Sequence, residues 1–197
     1  MDLRQALIAQ RVIPVLRLAS TQLTEQAIGC LGEAGFGWIE ITMTTPGALE
    51  LIRKTPNCGA GTVLDLRTAE RCIDAGAKFL VAPCLIRGLA KLAQDAGCLA
   101  LIGGFTPGEV LAAHRDGADM VKLFPASTGG PEHLKAIHAV FPDIPLCPTG
   151  GVSLDNLKAY FSAGAAVVGV GNNIIDQKAL AAGDRAAVIA HAKRFLA

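Results

Sequence analysis

With 197 residues, a net charge of +1, 51% hydrophobic and 5% aromatic residues, the chain is long enough for one sizeable core and short for two domains. The charges form no basic or acidic block, which argues against nucleic acid or an anionic membrane as partner and for a small molecule. The N-terminal MDLRQALIAQRVIPV is too charged for a signal peptide, and no apolar run reaches the roughly 18 residues of a membrane span, so a cytoplasmic protein is expected.

Residues 2–10 read as a helix leading into the apolar run VIPVLR (12–17), followed by a helix over 20–34. From there one pattern recurs: a helix-like stretch, an Ala-Gly or Gly-Ala turn, then a short apolar run. It appears as AGFGWIEIT around Gly35, AGAKFLVAP around Gly76 and AGCLALIGG around Gly97, then as GADMVKLFP around Gly117 and AGAAVVGVG around Gly164. Glycine stands where a helix C-cap needs it, and the run after it has strand length without polar alternation, as parallel strands covered by helices require. NCGAGT (57–62) and DIPLCPTGG (143–151) complete eight strand candidates, with helices over 66–75 and 153–163 and a closing helix over 184–196. Eight βα units predict a single (β/α)8 TIM barrel across residues 1–197, just under the usual lower size of about 200 residues; an open doubly wound sheet is the structural alternative.

Six cysteines include no CxxC pair and no His-rich segment accompanies them, so reduced thiols are expected rather than a zinc site. His114, His133, His138 and His191 fall in helix-like regions without ligand spacing and read as surface residues. No carboxylates converge for a divalent metal, and no metal or cofactor is expected.

Chemistry in a barrel gathers at the C-terminal strand ends. Read in order, these carry Arg17, Glu40 with Thr42, Thr62, Pro83 with Cys84, Gly103 with Gly104, and Lys122. Thr149, Gly150 and Gly151 follow, and then Gly169, Gly171 and Asn172. In MVKLFP, alternation puts Met120, Lys122 and Phe124 on one face. An ammonium buried there is costly unless paired, and desolvation favours the free amine, the nucleophile toward a carbonyl. Glu40 can shuttle protons beside it, and the Arg17 fork suits a substrate carboxylate. The competing reading is a salt-bridge cluster of Arg17, Glu40 and Lys122 that only holds the mouth together. PTGG (148–151) and GVGNN (169–173) follow the last two strands, where barrels bind phosphate on backbone N–H groups and a helix N-terminus. Ser153 is a cap for the helix after PTGG, and Asn172 can bond a phosphate oxygen or cap the next helix.

IEIT (39–42), GAGTVL (59–64), VKLFPA (121–126), PTGGV (148–152) and GVG (169–171) occur in order over most of the chain. Together they resemble the bifunctional 2-keto-3-deoxy-6-phosphogluconate (KDPG) and 4-hydroxy-2-oxoglutarate (KHG) aldolases, which are class I and metal-independent. The resemblance implies a pyruvate Schiff base on Lys122, Glu40 as general acid/base and Arg17 on the substrate carboxylate. It implies a pocket lined by Thr62, Pro83, Phe124 and Thr149, with Gly150, Gly151 and Gly171 on the phosphate, and a homotrimer. Thr44 stands where some members carry a carboxylate-binding arginine, and Asn172 where serine is frequent. Pro46 is shared with the related phosphogalactonate (KDPGal) aldolases, which leaves the C4 epimer open. A barrel that turns over another sugar phosphate without a covalent adduct, and a silent ligand-binding barrel, are the rival functions.

Overall fold

The computed structural model describes residues 2–196; Met1 and Ala197, the ends of the expected 1–197 domain, lie outside the described residues. Eight short parallel strands form one sheet: β1 (Val12–Leu16), β2 (Ile39–Thr42), β3 (Cys58–Gly61), β4 (Phe79–Val81), β5 (Leu99–Gly104), β6 (Met120–Leu123), β7 (Leu146–Pro148) and β8 (Val168–Val170). Their spatial order is 7-6-5-4-3-2-1-8, each strand pairing with its sequence neighbour and β1 returning to β8. Between β7 and β8 the gap is bridged by Thr149 against Gly169 and by Ala166 N–H donating to Leu146 O at 2.9 Å. This is the nearly closed (β/α)8 barrel, and every apolar run read as a strand contains one.

Period-2 alternation sorts the strand side chains into two cores. Inward-facing Ile13, Phe79, Val81, Leu101, Met120 and Cys147 pack together in the barrel interior with Val167. Leu7, from the leading helix Leu3–Gln10, joins them and is fully buried. Gly59 makes room for the largest of these: a Cβ there would lie 2.2 Å from the Phe79 ring. Outward residues such as Leu16, Ile41, Leu80, Ile102 and Val121 meet the helices through Ala27, Leu31, Ala69, Ala90 and Ala113. Small helix residues let the helices crowd around so short a barrel.

The leading helix starts at Asp2, whose side chain accepts from Gln5 N–H, and the helix Thr21–Ala34 is capped by Ser20. Gly35, at φ 111°, ends the latter with its N–H on Leu31 O and Gly32 O, a conformation that costs an L side chain dearly. Two expectations differ. The helix after PTGG runs only Leu157–Ser162 with Asn156 at its N-cap position and no side-chain cap, and residues 153–156 form a turn in which Asn156 Oδ1 accepts from Ser153 N–H at 2.8 Å. The helix after β8 is reduced to a three-residue 3-10 turn, Asn172–Ile174, led by Gly171, so the phosphate expectation loses its helix N-terminus.

Candidate active site

At the C-terminal mouth lies a cavity of ≈ 330 Å³, lined by Val15, Arg17, Glu40, Lys122, Phe124, Thr149, Gly150, Gly151, Val152, Gly171, Asn172 and Asn173. Two buried charged side chains, Lys122 and Glu40, line it from inward strand positions, with the exposed Arg17 at the end of β1 beside them.

Lys122 follows Met120 up β6, between Gly103 of β5 and Cys147 of β7. It is 5% exposed, and its Nζ stands 4.8 Å from the centroid of the Phe124 ring, within cation–π range. Cys147 is buried beneath it, and burial pushes that thiol up to about 11, so it stays neutral. Glu40 is 3% exposed on β2, between Val15 of β1 and Gly59 of β3. Burial raises its carboxyl above the ordinary glutamate value, and the charges of Lys122 and then Arg17 oppose that rise.

The carboxylate occupies space that only glycine leaves: a Cβ on Gly61 would fall 1.8 Å from Glu40 Oε1. Gly61→Ala is therefore expected to push Glu40 out of position. Misplacing a reacting group by about 1 Å costs roughly 10²-fold, so kcat is expected to fall by that order. Steady-state rates beside an unchanged circular-dichroism spectrum check it; a variant with normal kcat would show that Glu40's placement does not matter.

Arg17, exposed at the end of β1, donates from Nη2 to Thr62 Oγ1 at 3.1 Å. Thr62 holds a left-handed φ of 59°, unusual for a β-branched residue, and that conformation accompanies its hydroxyl meeting Arg17. Among the described residues the ion pairs within 4.0 Å are Lys54–Glu25, Lys91–Asp95 and Arg185–Glu33, all on the surface. Neither Glu40 nor Lys122 takes part in one, and neither side chain makes a hydrogen bond there. A purely structural pair would be closed on itself; this one faces open space.

Gly150 (φ 93°) and Gly151 (φ 82°) turn the chain after β7 beside Phe124, whose ring a Cβ on Gly150 would approach to 3.4 Å. The N–H groups of Gly151 and Val152 have no acceptor among the described residues, which leaves two donors beside a cavity these residues line. Gly171, Asn172 and Asn173 line the cavity with them, and a Cβ on Gly171 would meet nothing within 4 Å. Among the described residues no three His, Cys, Asp or Glu side chains are grouped as a metal donor set. No helix there is long and apolar enough to cross a membrane.

Of the residues singled out from sequence, Arg17, Glu40, Lys122, Phe124, Thr149, Gly150, Gly151, Gly171 and Asn172 share this one cavity. Thr62 and Pro83 do not line it: Thr62 acts on Arg17, and the Pro83 backbone fills the space beside Gly103, where a Cβ would come within 2.1 Å. Val15, Val152 and Asn173 line it without having been singled out. Their neighbours in sequence, LR, TGG and GN, carried the signal, and the three followed by adjacency alone. The histidines also differ from the surface reading. His114 is exposed, but His133, His138 and His191 are half-buried, with His133 stacked on Phe105 at 4.5 Å and the buried His138 Nδ1 without a partner. All six cysteines are free.

Comparison with known proteins places this geometry. The family model for KDPG and KHG aldolases matches residues 3–191. A 2-dehydro-3-deoxy-phosphogluconate aldolase of Pseudomonas aeruginosa is 39% identical over 159 residues, covering 77% of this chain and 72% of that protein. A probable 2-dehydro-3-deoxy-6-phosphogalactonate aldolase of Rhizobium meliloti is 36% identical over 181 residues, covering 88% and 85%. Among solved structures, KDPG aldolase from Legionella pneumophila, with pyruvate captured as a covalent carbinolamine, superposes with a TM-score of 0.88 at 27% identity over 98% of this chain and 97% of that one. A barrel with a buried lysine and glutamate facing one cavity, matched along nearly its whole length, belongs to the KDPG and KHG aldolase family.

Proposed function

We propose that the chain cleaves 2-keto-3-deoxy-6-phosphogluconate reversibly to pyruvate and D-glyceraldehyde 3-phosphate, with Lys122 as the Schiff-base lysine and Glu40 as the proton carrier. The chain is a carbon–carbon lyase of the Schiff-base class. The observation that carries the residue assignment is Lys122 and Glu40, both buried, both free of ion pairs, facing one cavity.

Lys122 Nζ attacks the C2 carbonyl, and the carbinolamine loses water as Glu40 supplies the proton that makes hydroxide a leaving group. The resulting protonated imine is the electron sink. Glu40, through a water, takes the C4 hydroxyl proton; the C3–C4 bond breaks, its electron pair forms the enamine, and the aldehyde departs. Protonation at C3 and hydrolysis of the imine release pyruvate and restore the amine. Arg17, held by Thr62, faces the substrate carboxylate, a task it carries without an arginine at position 44. Phe124, Thr149 and Asn172 shape the pocket around the chain of the substrate. Gly150, Gly151 and Gly171 bring backbone close to the phosphate, far from the reacting bond, where binding energy orients the carbon chain.

The working form is a cytoplasmic homotrimer, each 1–197 chain one barrel domain. Cleavage of unphosphorylated 4-hydroxy-2-oxoglutarate to pyruvate and glyoxylate is a second activity of the same lysine. Cleavage of the C4-epimeric phosphogalactonate substrate is the second reading, favoured by the Rhizobium relative. Pyruvate release, followed with lactate dehydrogenase and NADH, separates the three. The gluconate substrate is expected to give the highest kcat/KM, with the unphosphorylated keto acid at least about tenfold lower for want of phosphate binding. Highest turnover on the galactonate epimer would move the assignment to the second reading.

A further inference from the structure

The 3-10 turn Asn172–Ile174 carries the only side chain amide on the β8 side that reaches the β7 loop among the described residues: Asn173 Nδ2 donates to Val152 O at 2.9 Å. Its other flank is held from outside the barrel. His191, on the closing helix Arg185–Lys193, places Nε2 at 2.8 Å from Asn173 O. A carbonyl only accepts, so this nitrogen carries the hydrogen. The helix that bears His191 is anchored through buried Val188 and Ala192, and the His191 ring packs at 5.9 Å from Phe195. On the β7 side, Asn156 fixes the loop, with Nδ2 donating to Gly151 O at 2.9 Å. One residue therefore receives a bond from the closing helix at its carbonyl and gives one to the β7 loop from its side chain.

We propose that His191 and Asn173 are positioning residues for the anion end of the cavity, clamping the Gly171–Asn173 segment at a fixed spacing from Gly150–Val152 and so setting affinity for a phosphomonoester. His191 touches no substrate; it acts through the turn. The inference rests on the phosphate reading above. It assigns a function to a histidine in the last helix, whose link to the site is invisible along the chain.

Removing the clamp loosens the phosphate end and leaves the Lys122 end as it was. His191→Ala is expected to raise KM for the phosphorylated gluconate substrate roughly tenfold, as loss of one well-formed hydrogen bond does, with kcat within about twofold. KM for 4-hydroxy-2-oxoglutarate, which has no phosphate, stays within about twofold. His191→Gln, which keeps an N–H donor of similar reach, restores most of the difference. His191→Leu, which keeps apolar packing against Phe195 but removes the donor, reproduces the selective rise and covers the case in which the alanine variant folds poorly. Equal effects on both substrates, or no rescue by glutamine, overturn the positioning role. A wild-type enzyme with the same KM for both substrates overturns the phosphate reading itself and the clamp with it, whereas preserved preference in His191→Ala overturns the clamp alone.

Discussion

Lys122→Met is expected to abolish turnover, lowering kcat by at least about 10⁴-fold, because no other amine can form the imine. All the other lysines, at positions 54, 78, 91, 135, 158, 178 and 193, are exposed on the surface, and none lines the cavity. Incubation of the wild-type protein with pyruvate and borohydride should give a single reduced adduct by intact mass, mapping to the peptide that contains Lys122. The variant should give none. Its fold should be unharmed: methionine has nearly the volume of lysine, joins Met120 on the same face and removes an ammonium that burial disfavours. Thermal stability is therefore expected to equal or exceed that of wild type. A folded Lys122→Met variant that still releases pyruvate would remove the covalent mechanism and promote a non-covalent sugar-phosphate barrel. Adducts scattered over several exposed lysines would mean chemistry of accessibility, without a site.

How far the site was legible in sequence depends on whether a residue works through its own strand or through a distant partner. Glu40 and Lys122 are readable because a charge at an inward position of an apolar strand needs a reason, and the period-2 rule says which way it points. Gly61 is readable as part of a motif, but the reason for it, room for the Glu40 carboxylate, exists only once β2 and β3 are in register at Thr42 and Gly61. Arg17 lies at the mouth as the end of an apolar strand puts it, while its tie to Thr62, 45 residues away, depends on a left-handed φ that no pattern announces. Ser153 is the better cap by residue type, yet no side chain caps that helix: the Asn156 amide is spent on Ser153 N–H and Gly151 O in the loop before it. His191 looked like any helix histidine, since its partner is a backbone carbonyl 18 residues earlier, and carbonyls carry no sequence signal. The barrel itself was legible because five of its strands repeat one local solution: a helix with small residues inward, a glycine at the turn, and an apolar run.

Glu40→Gln separates the proton-transfer role from the positioning role and makes a second, independent claim about stability. Gln fills the same space beside Gly61 and keeps the cavity shape, but carries no exchangeable acid. Dehydration of the carbinolamine and deprotonation of the C4 hydroxyl both lose their carrier, so kcat should fall by about 10²–10⁴-fold while the pyruvate adduct on Lys122 still accumulates, more slowly, under borohydride. The pH profile adds a sign. Burial raises the Glu40 carboxyl above its ordinary value of 4.5, so the ionisation that governs the acid limb of the wild-type profile should lie above the usual glutamate range, and that limb should vanish in the variant. The same shift fixes the stability trend. A carboxyl whose folded-state value exceeds its unfolded value binds its proton more tightly in the folded state, so its contribution is present below the unfolded value and is lost as pH rises through the folded one. Wild type should therefore lose stability relative to Glu40→Gln on going from acid to neutral pH, and the variant should melt higher at neutral pH. Thermal melts across that range test this without reference to activity. A variant that melts lower at neutral pH would mean that attraction to Lys122 and Arg17 outweighs the cost of burying the carboxylate. The pair would then be a structural bridge after all, and the proton carrier would have to be sought in solvent held near Thr149.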